Sequence, residues 1–130
     1  MTNEIDNIKS QMRKGILEYC VLIMLSRCKA YPSDIIKALS NTNLMVVEGT
    51  IYTLLNRLRR EGKLDYEWQE SPKGPPRKYF YITEAGRQTL LAMDEAWHEI
   101  NAAVAHFHHT GPEPSSLPDI NQTILKNTSE

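Results

Sequence analysis

A helix with two contrasting faces constrains this chain more than any other feature of its sequence. Between residues 49 and 61 the apolar residues recur at spacings of three and four, which places them on one stripe of a helix. The stripe consists of Ile51, Leu54, Leu55 and Leu58. The opposite side is polar and cationic, and it consists of Gly49, Tyr52, Thr53, Asn56, Arg57 and Arg60. Gly62 then ends the helix, because glycine accepts the positive φ of a helix terminus.

The residue types on the polar face suit a nucleic-acid duplex. A guanidinium binds phosphate or guanine, an amide pairs with adenine, and hydroxyls bind either phosphate or bases. We expect the helix to lie in the major groove, which is wide enough to admit it. The candidate contact residues are Thr50, Tyr52, Thr53, Asn56 and Arg57. Asn56 and Arg57 are the better candidates for reading base edges; the alternative is the solvated face of an ordinary surface helix.

A hairpin with a basic tip is predicted to follow this helix. Residues 64–69 alternate apolar and polar side chains, as a half-buried strand does, and residues 77–82 form the return strand. Trp68 on the first strand is interpreted as a core residue. The three prolines of residues 71–76 predict a loop that stays unpaired. Three cations lie at or near the tip, where they would bind phosphates with little sequence preference. They are Lys73, Arg77 and Lys78; the alternative is charge that only solvates an edge hairpin.

Three further helices are predicted before the helix of residues 49–61. Residues 2–12 carry a weak helical pattern, which indicates either a short leading helix or a frayed segment, and residues 15–28 carry the pattern of a buried helix. Pro32, Ser33 and Asp34 are typical of a helix start, because proline fits the first turn and the two polar residues satisfy free amides there. The predicted fold is therefore mainly α with a small two-stranded wing, a winged helix-turn-helix within residues 1–83.

The last predicted helix, residues 84–110, carries a pattern of its own, and Thr83 is predicted to cap it. Apolar residues follow each other seven apart in two series that are offset by three, over three heptads. The first series is Leu90, Trp97 and Val104, and the second is Met93, Ile100 and Phe107. This seam is typical of a helix that packs against another helix, so the segment is predicted to dimerise the chain. Residues 111–130 are predicted to be a flexible tail.

Charge, cysteine content and motifs exclude several classes of protein. The formal net charge of the 130 residues is −1, but residues 1–87 hold 14 Lys and Arg against 10 Asp and Glu. The two cysteines have no metal-type spacing, and the sequence has no signal peptide and no apolar run long enough for a bilayer. A cytoplasmic protein is expected. No catalytic motif is present, so neither an enzyme nor a cofactor or metal site is predicted.

Two motifs resemble those of the PadR family of bacterial transcriptional regulators. The first is Gly49-Thr50-Ile51-Tyr52 followed by Leu55, Arg57-Leu58 and Glu61-Gly62. The second runs from Pro76 to Arg87 as Pro-Arg-Lys-Tyr-Phe-Tyr-Ile-Thr-Glu-Ala-Gly-Arg. The likeness covers roughly residues 14–108. Two positions depart from it: Thr53 stands where the family usually has proline, and Val47-Glu48 stands where it usually has Ser-Pro.

The resemblance implies a homodimeric repressor that binds double-stranded DNA at a pseudo-palindromic operator. It also implies that Tyr52 binds a phosphate through its hydroxyl. Some relatives release DNA when a small aromatic effector binds near the dimer interface, which makes Trp97 the candidate for stacking such a ligand; the alternative is plain interface packing. A winged-helix module that binds another protein and no DNA is the alternative function.

Overall fold

The fold is mainly helical, with one antiparallel hairpin, as the sequence predicts. The computed structural model describes residues 2–44 and 46–110, and it gives no side-chain description for residues 2 and 3. The predicted flexible tail, residues 111–130, lies outside the described residues. The elements in chain order are α1 (Thr2–Arg13), α2 (Ile16–Arg27), α3 (Pro32–Ser40), α4 (Glu48–Arg60), β1 (Leu64–Ser71), β2 (Gly74–Ile82) and α5 (Glu84–His109). Internal contacts divide the chain into two compact units, one ending at Asp94 and the other beginning at Glu95.

The core of the first unit collects apolar side chains from α2, α3, α4 and the hairpin. The helices contribute Val21, Leu22, Leu25, Ile35, Leu39, Ile51, Leu54, Leu55 and Leu58, and the hairpin contributes Leu64, Phe80 and Ile82. All four members of the stripe predicted for residues 49–61 are buried. Burial of this stripe fixes which side of α4 faces out.

Helix α4 ends at a glycine, as predicted. Gly62 has a φ of 79°, a left-handed conformation that favours glycine. The N–H of Gly62 donates to the carbonyl of Arg59 at 2.9 Å, and the N–H of Lys63 donates to the carbonyl of Leu58 at 2.9 Å. These two bonds form a Schellman motif, which satisfies carbonyls at the helix end. The chain then turns directly into β1.

The hairpin extends closer to its tip than the sequence predicts. Residues 71–76 were expected to form an unpaired loop, but Ser71 pairs with Gly74 across a two-residue turn. The register shifts between Gln69 and Ser71, where two prolines of β2 face one residue of β1. A bulge of this kind leaves an extra residue outside the ladder, so prolines are tolerated there although they cannot donate a hydrogen bond.

Trp68 is not a core residue, contrary to the sequence interpretation. Its side chain is 60% exposed, whereas Leu64 on the same strand is buried. Both lie on the face of β1 that turns toward the helices, but the hairpin projects beyond the core before it reaches Trp68. Strand alternation gives the face of a residue and does not give the distance that the core extends along the strand.

The start of α5 is fixed against the base of the hairpin. The Thr83 hydroxyl accepts the N–H of Gly86 at 3.1 Å, which confirms its predicted cap, and donates to the carbonyl of Gly62 at 2.6 Å. A Cβ at Gly86 would overlap the carbonyl oxygen of Lys63 and lie 2.7 Å from Cγ1 of Ile82. Glycine at position 86 therefore lets α5 begin in close contact with the chain that links α4 to β1.

A second contact ties α5 to α2. The Tyr19 hydroxyl donates to Oδ1 of Asp94 at 2.6 Å. This hydrogen bond, together with desolvation, raises the pKa of Tyr19 to about 12. The tyrosine therefore remains a donor to Asp94 throughout the physiological pH range.

Two rows of apolar side chains are exposed on the helices. On α5 the predicted seam divides: Leu90 and Met93 pack against the core, whereas the four later members are exposed. These four are Trp97 (42%), Ile100 (57%), Val104 (50%) and Phe107 (76%). On α1 the exposed row is Ile5, Ile8 and Met12. Within residues 2–44 and 46–110, none of the helices combines the length and apolar character needed to cross a membrane.

Candidate nucleic-acid interface

The outward side of α4 carries most of the side chains that the sequence singles out. Thr50, Tyr52, Thr53 and Asn56 are all exposed, and Tyr52 retains 44% of its accessible surface. The Thr53 hydroxyl donates to the carbonyl of Gly49 at 3.0 Å, one turn earlier on the helix. The buried stripe lies behind them, so these polar groups form one continuous exposed surface along α4.

Arg57 differs from its neighbours on this surface, because it already has partners within the chain. Its Nη1 lies 3.0 Å from Oε2 of Glu61, one turn later on α4, and its Nη2 lies 3.2 Å from Oε2 of Glu18 on α2. The Glu18 side chain is only 16% exposed. Arg57 therefore joins the outward face of α4 to the start of α2.

Lys63 completes a four-residue ion-pair network. Its Nζ lies 3.2 Å from Oε1 of Glu61 and 3.7 Å from Oε1 of Glu18. Hydrogen bonds from Arg57 first, and from Lys63 next, lower the pKa of Glu61, and those to Glu61 and Glu18 raise the pKa of Arg57. The charged form of the Glu61 carboxylate is therefore stabilised by the two cations.

The wing carries the three predicted cations in different environments. Lys73 is exposed in the turn at the tip. Arg77 is held against α3: its guanidinium carbon lies 3.8 Å from the centroid of the Tyr31 ring, and its Nη2 donates to Oγ of Ser33 at 2.8 Å. The Tyr31 ring in turn contacts the ring of Tyr79, with centroids 4.7 Å apart. This stack attaches β2 to the start of α3.

Lys78 lies on the other face of the hairpin. Its Nζ is 4.7 Å from the centroid of the Tyr66 ring and 5.8 Å from that of the Trp68 ring. Strand alternation separates it from Arg77, so the two cations do not share a surface. Of the three predicted wing cations, Lys73 is the one at the tip and Arg77 the one nearest to α3.

A groove beside α4 adds residues that the sequence analysis did not include. It has a volume of about 360 Å³ and lies between the end of α1 and the start of α4. Arg13 and Lys14 line it together with Ser10 and with Thr50, one of the predicted contact residues. The adjacent cations before Gly15 were the signal in the sequence, but only the fold brings them next to residue 50.

Comparison with known proteins agrees with this architecture. The model of the PadR-like family of transcriptional regulators matches residues 21–92. That segment contains the second half of α2, all of α3 and α4, the whole wing and the start of α5. The chain belongs to the PadR-like family of transcriptional regulators.

Solved structures of family members have the same fold. A PadR-like transcription factor from Bacteroides fragilis is 50% identical, with 78% of this chain and 98% of that chain covered and a TM-score of 0.66. A PadR-like regulator from Bacillus cereus is 31% identical over 78% of this chain and 99% of its own, with a TM-score of 0.69. A PadR family regulator from Eggerthella lenta is 28% identical over 85% and 96%, with a TM-score of 0.73.

Membership defines the general role of the chain. PadR-like proteins are transcriptional regulators and not enzymes, and the family implies DNA binding. The resemblance stated from the two sequence motifs is therefore confirmed. In this setting the ion pairs of Arg57 acquire significance, because the arginine must exchange carboxylates for DNA if it is to read a base.

We predict that Glu18→Gln strengthens operator binding if Arg57 contacts DNA, because it removes one competitor for the guanidinium. The pair is partly open to solvent on its Arg57 side, which is 41% exposed. A surface ion pair contributes up to about 1 kcal/mol, so the expected gain is about fivefold in Kd. Fluorescence anisotropy with a labelled operator measures it in the wild-type and Arg57→Ala backgrounds.

Glu67→Gln is the matched control, since Glu67 pairs with Lys29 at 3.2 Å, outside this network. A gain from Glu18→Gln that persists in the Arg57→Ala background would reflect general charge and would exclude Arg57 as the contact.

Arg57→Ala itself should weaken binding and relax preference at one base pair, with roughly 1–3 kcal/mol of discrimination lost.

Proposed function

We propose that this chain is a homodimeric repressor that binds a pseudo-palindromic operator through α4 and the wing. The observation that carries the proposal is the exposed polar surface of α4, which is held outward by a buried apolar stripe. In a helix-turn-helix protein such a helix lies in the major groove, where its outward side chains contact base edges. A cytoplasmic location is part of the proposal, because a repressor of this kind has to reach the chromosome.

The proposed base-reading residues are Asn56 and Arg57. Thr50 and Thr53 contribute hydroxyls along the same surface, and Tyr52 is proposed to bind a phosphate. Base reading is assigned to the first two residues because amide and guanidinium groups make bidentate bonds to adenine and guanine. A single hydroxyl discriminates bases poorly.

The wing is proposed to add affinity without sequence preference. Lys73 at the tip is the exposed cation that reaches farthest along the hairpin. Arg77 and Lys78 lie farther back, each over an aromatic ring, where they would contact the DNA backbone only by giving up part of that packing. Substitution of Lys73 is therefore the most direct test of the proposed contact between the wing and DNA phosphates.

We predict that Lys73→Ala weakens binding to all duplexes about equally. Loss of one phosphate contact should flatten the dependence of log K on log salt concentration by about one unit. Titrations of a selected operator and an unrelated duplex at several salt concentrations measure the slope. Arg87→Ala, on α5 and outside the proposed interface, is the control; equal slopes for wild type and Lys73→Ala would refute the wing assignment.

The proposed dimer forms through the exposed half of the α5 seam. Trp97, Ile100, Val104 and Phe107 are 42–76% exposed in one copy, and their seven-residue spacing is that of a helix that meets a second helix. The exposed row on α1 adds to the apolar surface that one copy leaves uncovered. Two copies would place two α4 helices about 34 Å apart, one turn of DNA.

We predict that Ile100→Glu produces monomers, because it introduces a carboxylate into the apolar seam. Binding to a palindromic operator should fall much more than binding to a half-site. Sedimentation velocity at micromolar concentration measures the mass. Ala102→Glu adds the same charge to α5 away from the seam and should remain dimeric; if wild type sediments as a monomer, or Ile100→Glu as a dimer, the proposed seam is wrong.

A small aromatic effector is proposed to stack on Trp97 within this seam. Such a ligand would release DNA if it favours a dimer with another spacing, and it can shift occupancy only through its differential affinity for the two arrangements.

We predict that effector binding quenches the fluorescence of Trp97. Because Trp68 is 60% exposed and would contribute its own signal, the measurement uses a Trp68→Phe background, in which Trp97 is the remaining tryptophan of the sequence. A panel of planar aromatic compounds is titrated and tested in parallel for release of operator. Release of DNA without a change in Trp97 emission would place the effector elsewhere.

A further inference from the structure

Val47, the residue immediately before α4, breaks the usual preferences of a helix start. N-cap positions favour Ser, Thr, Asp or Asn, whose oxygens accept backbone N–H groups of the first turn. Val47 occupies the N-cap with an extended backbone (φ −88°, ψ 130°), and it makes no side-chain cap bond. The backbone of Val47 does take part in the first turn of the helix, because its carbonyl accepts the N–H of Thr50 at 3.0 Å. The valine side chain adds nothing to that function.

The same side chain is also not used by the core. It is 71% exposed, whereas Ile51, four residues later, is fully buried. Single exposed apolar residues are common on protein surfaces and need no explanation by themselves. An exposed valine at this position contributes neither burial in the core nor a side-chain cap for the helix. Departures from local rules of this kind concentrate at functional sites.

Gly49, two residues later, is a second residue that the fold does not require. Its φ is not positive, and a Cβ built on it would meet no atom within 4 Å. Glycine in such a position lowers helix stability, and a common reason to retain it is the close approach of another molecule to the backbone. Val47 and Gly49 line one open groove together with Thr50 and Thr53, so both border the surface proposed to contact DNA.

We propose that Val47 is a specificity-determining residue that reads the 5-methyl group of a thymine at the edge of the operator half-site. The proposal rests on the proposed function, in which α4 lies in the major groove. The thymine methyl is the one apolar group that base pairs expose in that groove, and apolar side chains at the start of a recognition helix contact it. Gly49 leaves room beside Val47 for the base edge to approach.

The test removes the methyl group from DNA and the side chain from the protein. Full-length protein first selects duplexes from a random library, and each thymine of the selected duplex is then replaced in turn by deoxyuridine, which keeps the base-pairing groups and lacks only the methyl. With these single replacements, wild type should show one sensitive thymine in each half-site. Replacement of that thymine should weaken binding about fourfold, the effect of one buried methyl group. Val47→Ala should bind the thymine and deoxyuridine duplexes equally.

Val47→Ser separates reading from folding, because serine restores a capping oxygen. We expect its thermal unfolding midpoint to rise by a few degrees while it loses discrimination for thymine. No deoxyuridine effect in wild type at any position, or the same effect in wild type and Val47→Ala, would overturn the proposal although DNA binding is intact. If the library yields no bound duplex, the proposed function fails and this inference fails with it.

Discussion

Burial of the inner stripe of α4 is the interaction on which the rest of the molecule depends. Ile51, Leu54, Leu55 and Leu58 are at most 8% exposed, and they contact the core that α2, α3 and the hairpin share. Truncation of such a side chain to alanine costs roughly 2–5 kcal/mol, a large part of the 5–15 kcal/mol that stabilises a typical domain. Because the stripe fixes the rotation of α4 about its axis, folding and presentation of the polar surface are one physical event.

The junction between α4, the wing and α5 sets the positions of the wing and of the start of α5 relative to α4. Gly62 ends α4 without an intervening loop, and Thr83 donates back to its carbonyl. Gly86 lets α5 begin against the same stretch of chain, where any side chain would overlap Lys63. The wing and the first turns of α5 therefore take their positions from the end of α4, and not from long linkers with freedom of their own.

Much of this architecture could be predicted from the sequence because it depends on local chemistry. The three-and-four spacing predicted the buried stripe of α4, Gly62 predicted its end, and Thr83 predicted the cap of α5. These features follow from helix geometry and from φ, which a short stretch of residues determines. The two sequence motifs, in residues 49–62 and 76–87, were sufficient to indicate the family.

The remaining features depend on residues that are distant in sequence. Arg57 pairs with Glu18 across 39 positions, and no spacing rule indicates that contact. The exposure of Trp68 depends on where the core stops beneath the hairpin, and the paired tip depends on a bulge that accommodates two prolines. Likewise, the exposed side chain of Val47 becomes informative only when its place at the start of α4 is known.

The stack of Arg77, Tyr31 and Tyr79 has a consequence for the proposed binding of DNA. It joins β2 to the start of α3, and α3 packs beside α4 in the core. The contact therefore helps to hold the wing at one position relative to α4. If α4 and the wing both contact DNA as proposed, a duplex whose groove width does not match their spacing has to deform, and the elastic cost of bending or narrowing it contributes to how sites are distinguished, even at base pairs that no side chain reaches.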